Sequence, residues 1–132
     1  MSAQNAINEA IEDVISMMNE TNVFAPVRRG ALTTGNSLTC EIGPSMPGTH
    51  FLNKDIVVPV DLTINGKHNN LQTVTNAMNS IHYNLTRRRV YPAGVGWEIV
   101  DITDATLPQV IGRENNGDWL LASSLTVNVH IM

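Results

Sequence analysis

Two stretches of strict apolar–polar alternation limit this chain to folds built on a sheet with one dry face. In residues 55–64, Ile56, Val58, Val60, Leu62 and Ile64 share one parity, and Pro59, Asp61 and Thr63 take the other. In 119–131, Trp119, Leu121, Leu125, Val127, Val129 and Ile131 share a face that Ser123 interrupts. Leu120, Ala122, Ser124, Thr126, Asn128 and His130 form a largely polar opposite face. A period of two puts successive side chains on opposite faces of a strand, so each stretch predicts a half-buried strand. Something apolar must cover the dry face.

Two helical stripes can do so. Ile7, Ala10, Ile11, Val14, Ile15 and Met18 recur at three-and-four spacing within a predicted helix over 3–19, with Ser2 as a candidate cap. Leu71, Val74, Met78, Ile81 and Leu85 mark a second helix over about 70–88, where Asn69 and Gln72 suggest a capping box. Shorter signals fill the rest. Leu38, Cys40 and Ile42 alternate, after a connector over 23–35. A loop covers 43–54, and Asn65-Gly66 suggests a tight turn. Val95, Trp97 and Ile99 share a parity that Val100 and Ile102 break, which a bulge near Ile99 would reconcile. Pro59 has no backbone donor and places its strand at an edge or a bulge. A polar arm spans Thr103 to Asp118. The expected architecture is α+β, in the order α-β-β-α-β-β. It is a two-layer sandwich with two helices on one face of a four-stranded, mainly antiparallel sheet. The 132 residues suit a single domain over 1–132.

Composition excludes several roles. A net charge of −4 disfavours nucleic-acid binding through phosphates. One cysteine excludes an internal disulfide or a cysteine-based zinc knuckle. No signal peptide and no membrane span are expected. Charged residues make up only 15%, and fifteen Asn and twelve Thr supply neutral polarity instead. Such a surface repels like copies weakly and suits a protein that packs against others.

No catalytic constellation is visible, so no enzymatic activity, metal or cofactor is expected. His50, His68, His82 and His130 are scattered without metal-ligand spacing and read as surface residues. Cys40 reads as a small core residue. Gly94-Val95-Gly96 lacks the rest of a dinucleotide fingerprint. Arg87, Arg88 and Arg89 form the single concentrated charge, either a contact patch or a solvated helix end. With His82 or Asp101 they would be the polar cluster of a small ligand-binding or enzymatic domain.

The helix Leu71–Leu85 leads into Arg89-Val90-Tyr91-Pro92, then Gly96-Trp97-Glu98-Ile99 and Thr106-Leu107-Pro108-Gln109-Val110-Ile111-Gly112. Gly117-Asp118-Trp119 then opens the strand containing Leu125–Val129. Over residues 55–132 this pattern resembles the minor-capsid or tail-terminator proteins of long-tailed bacteriophages. The resemblance implies a virion protein that forms a ring, usually a hexamer, on the tail tube and joins tail to head. Its partners would be itself, the tail-tube protein and a head-completion or neck protein. It would bind no specific DNA sequence, though the genome could pass through the ring. It would reside in the virion neck, and in the host cytoplasm during assembly. Another neck or head-completion protein is the alternative. Under this reading Met46, Phe51, Leu52, Pro59, Val110, Ile111 and Arg113 are candidate contacts to a neighbouring subunit or the tube, because apolar residues on the 43–54 loop and the 103–118 arm cannot all reach the core.

Overall fold

The computed structural model describes residues 3–33, 35–43, 49–50 and 55–132. Ser2, Met46, Phe51 and Leu52 lie outside them. The elements run α1 (Ala3–Asn19), β1 (Val27–Arg29), β2 (Ser37–Ile42), β3 (Thr49–His50), β4 (Ile56–His68), α2 (Leu71–Thr86), β5 (Ala93–Gly94), β6 (Trp97–Arg113) and β7 (Trp119–Ile131). Among the described residues the sheet therefore has seven strands rather than four, and the α-β-β-α-β-β sandwich is corrected accordingly. It is curled and mixed: the order is β1-β2-β4-β7-β6-β5, with β3 on β4, and β1 lies parallel to β2.

Alternation is realised most fully in the two long central strands. β7 pairs along its whole length with β4, from Ile56 opposite Ile131 to His68 opposite Trp119. Val60, Leu62 and Ile64 of β4 and Leu121, Leu125, Val127 and Val129 of β7 are buried. They form one cluster with Ala10, Ile11, Val14 and Met18 of α1 and with Val74, Met78, Ile81 and Leu85 of α2. Trp97 and Ile102 extend this core under β6.

Three local expectations fail for identifiable reasons. Asn65-Gly66 makes no turn, because β4 continues to His68. A β-carbon on Gly66 would lie 2.7 Å from Val74 Cγ2 and 2.8 Å from Met78 Sδ, so this glycine lets α2 approach the sheet. The cap of α2 is Asn70, whose side chain accepts from Thr73 N at 3.1 Å, and not Asn69. The 103–118 arm is strand as far as Arg113, since β6 stays paired with β7 through a series of register shifts. The first shift, between Ile99 and Asp101, is where the parity of the sequence changes. Others fall between Asp104 and Thr106, Thr106 and Gln109, and Val110 and Gly112.

Pro59 sits on β4 between the stretch paired with β3, at Ile56 and Val57, and the stretch paired with β2, from Leu62 onward. Its missing N–H therefore falls where β4 has, among the described residues, a strand on the β7 side alone.

Candidate functional site

The outer half of β6 is the least protected part of the sheet. β5 covers only Trp97 and Glu98, and Ile99 N donates to Pro92 O at 3.0 Å. Beyond that, among the described residues, no strand lies on the outer side of β6. From Thr103 to Arg113 nearly every residue is exposed, on both faces. Leu107 is 62%, Val110 47% and Ile111 58% exposed. The predicted contacts Val110 and Ile111 thus stand in solvent, on a strand edge rather than on a loop.

The end of this edge is held firmly. Glu114 N donates to Asp118 O at 2.8 Å and Gly117 N to Glu114 O at 2.9 Å, closing the turn between β6 and β7. Gly117 takes φ +95°, a conformation that suits glycine. Arg113 lays its guanidinium over the Trp119 ring at 4.5 Å, and its Nε donates to Gly117 O at 3.3 Å. Lys67 Nζ, on a nearly buried side chain, reaches Glu114 Oε1 at 3.1 Å.

The arginine run does not act as one patch. Arg87, at the C-terminus of α2, folds back over Tyr83 at 4.4 Å. Arg88 reaches Glu20 at 3.9 Å, and Arg89 is exposed. Arg87 and Arg88 line an open groove of about 640 Å³ between the C-terminal ends of α1 and α2, with Glu20, Ser80, Tyr83 and Asn84. Neither His82 nor Asp101 joins them. His82 is buried against the sheet, and Asp101 accepts from Asn128 on the opposite face. The polar cluster suggested for a small enzyme is not assembled.

A different constellation is. His82 Nδ1 lies 2.7 Å from Asp104 Oδ1, and Nε2 lies 2.8 Å from Ser123 Oγ. With the carboxylate accepting from Nδ1–H, the other nitrogen accepts from the serine hydroxyl. This order of groups is that of a nucleophilic triad. His82 and Ser123 are each only 3% exposed, however, between α2 and β7. A substrate carbonyl could reach the serine oxygen only if α2 lifted from the sheet. The trio is a polar tie joining helix, β6 and β7, buried at His82 and Ser123 and half-exposed at Asp104. His82 therefore belongs to the core and not to the surface. Two signals pointed here: His82 falls next to Ile81 on the apolar seam, and Ser123 interrupts the apolar face of β7.

The open face of the sheet carries paired acids. Thr126 donates to Asp61 at 3.0 Å, and His130 bridges Glu98 at 3.0 Å and Asp55 at 3.1 Å. The hydrogen bond to Glu98, and then the one to Asp55, raise the His130 pKa against the opposing cost of burial. Burial pushes the Cys40 thiol up to about 11, so it holds its proton and is a poor nucleophile. Among the described residues no group of three or more His, Cys, Asp or Glu side chains could hold a metal ion. No described helix is long and apolar enough to cross a membrane.

No protein-family model matches the chain, and no curated protein matches its sequence. Its fold is similar to that of a chain in the "Virion of native gene transfer agent (GTA) particle". The two are 15% identical, with a TM-score of 0.56 over 98% of this chain and 95% of the other. The same arrangement of helices and sheet is therefore used, almost end to end, by a component of an assembled virion.

Proposed function

We propose that this protein is a structural component of a phage-like virion, acting as the tail terminator that caps the tail tube and meets the head-side neck proteins. The fold likeness to a gene transfer agent virion chain, extending over nearly the whole of both chains, supports the virion part of this reading, and the tail-terminator part rests on the sequence pattern of residues 55–132. Two features support it. His82 and Ser123 of the triad-like cluster are buried beneath a helix, as expected of framework rather than catalyst. A strand edge with exposed apolar side chains stands ready for assembly. On this reading the copies form a ring, with β6 and the 43–54 segment facing neighbours or the tube.

Electron microscopy of particles made without the protein tests the proposal. Overlong tails, or tails that fail to join heads, are the expected result. Filled heads that leak DNA, with tails of normal length, would instead assign the protein to head completion. Normal, infectious particles would remove it from the virion altogether.

A further inference from the structure

We infer that the cavity beside β1 and β2 is a binding site for a single carboxylate group, held chiefly by Arg28 and Thr39. This is separate from the position of the chain in a virion.

The cavity has a volume of about 290 Å³, at the small end of the range for ligand pockets. Arg28, Asn36, Ser37 and Thr39 supply polar groups to its lining. β1 and β2 run parallel, with Arg28 beside Thr39 and Val27 beside Leu38. Val27 and Leu38 are core residues, so Arg28 and Thr39 share the other face of the sheet. The short β1 is fixed at both ends. Val27 N donates to Asn19 Oδ1 at 2.7 Å, and Asn19 Nδ2 donates back to Val27 O at 3.3 Å. Gly30 N donates to Cys40 O at 3.2 Å. Arg28 therefore rises from a backbone that is already in place.

Two groups here lack a counterpart. Thr39 is 3% exposed, and its Oγ1 has no hydrogen-bond partner among the described residues. A buried hydroxyl left unpaired is costly. Side chains on strands have more than one favoured χ1, so an acceptor seated in the cavity can give this hydroxyl the partner it lacks. Arg28 is exposed and makes no ion pair among the described residues, whereas Arg29 beside it is answered by Glu12 at 3.3 Å. Glu41, next on the face of Thr39, does not line the cavity. Ser37 Oγ donates to Gly35 O at a long 3.4 Å, a bond that a closer anion would replace.

The charge count selects the ligand. One guanidinium among neutral donors balances a monoanion. A carboxylate matches the planar fork of arginine with its two oxygens and keeps further lone pairs for the hydroxyls. A phosphate dianion would leave negative charge uncompensated in a chain that already carries −4. A small organic acid and an aspartate or glutamate side chain of another protein present the same group.

Amide NMR titration of the full chain with acetate, against chloride at equal ionic strength, tests this. Acetate should shift the amides of Arg28, Ser37 and Thr39 saturably, with a Kd on the order of millimolar. Arg28→Gln should weaken binding roughly tenfold. Thr39→Val keeps the shape of the side chain and should weaken binding roughly threefold. It should also leave the urea midpoint of the free chain unchanged or raised, because it removes an unpaired buried hydroxyl. A threonine with a purely structural role would show the reverse, a lowered midpoint and an unchanged affinity. A short blocked peptide with one central glutamate distinguishes the sources. Binding tighter than acetate supports a side chain of a partner protein, and weaker binding supports a free organic acid. No shift at these amides up to about 100 mM acetate overturns the inference. So does an affinity that neither variant changes, or inorganic phosphate binding more tightly than acetate. None of these results touches the tail phenotype, which separately tests the proposed virion role.

Discussion

At the scale of single residues, the His82 tie shows why a triad's geometry is not by itself a triad's chemistry. Ser123 and His82 satisfy one another inside the core, where an unpaired polar group is costly. Ser123→Ala leaves Nε2 of a buried histidine without its partner and should destabilise the fold by about 1–3 kcal/mol in urea denaturation. Adding His82→Leu should recover part of that loss, because removing both partners costs less than orphaning one. A loss that only deepens in the double variant would mean that the ring makes a packing contribution of its own. His130 behaves differently because it lies between two acids on the open face. Its folded pKa is raised, so the stability it adds is fully present below its unfolded value of about 6.5. That contribution disappears as pH rises through the folded pKa. Glu98→Gln should flatten this part of the stability profile above about pH 6.5, and an unchanged profile would remove Glu98 as the main cause.

At the scale of elements, the distance between α2 and the sheet is set by Gly66. Gly66→Ala places a methyl group into Val74 and Met78 and should cost about 1–3 kcal/mol, read as a lowered urea midpoint. Met78 can swing its sulfur aside, but Val74 is β-branched and stiff. A simultaneous Val74→Ala should therefore restore most of the loss. The same elements show what the sequence could reveal. β4 and β7 were legible because one face of each is buried and the other is not, so burial writes itself as alternation. The outer part of β6 was not legible as strand, because both of its faces are exposed and neither imposes a pattern. β1, at three residues, is too short to show a period, and its pairing depends on a side chain from α1. His82 sat on the right face of α2, but nothing in its own surroundings in the sequence announced Asp104 and Ser123 as partners. Val110 and Ile111, expected on a polar arm, lie instead on an exposed strand edge.

At the scale of the whole molecule, both helices and the central strands share one cluster of buried side chains. Such a core should unfold as one unit. The two tryptophans offer a direct check, because they lie at opposite ends of β7. Trp97 pairs with Ile131, and Trp119 pairs with His68 across the sheet. Variants retaining only one of them should show the same denaturation midpoint by fluorescence as by circular dichroism, once each is compared with its own reference. Separate midpoints would divide the chain into two cooperative units.

The central position of β7 also sets an order of events in time. Its pairing with β6 is local, across the short turn closed by Glu114 and Gly117, whereas its pairing with β4 brings Ile56 to Ile131. Local pairings carry the smaller loop-closure cost and form first. On that order the hairpin of β6 and β7 would form with both of its long edges bare, before β4 covers one of them. A folding chain is thus stickier than a finished one, and the yield of refolded protein should fall as its concentration is raised.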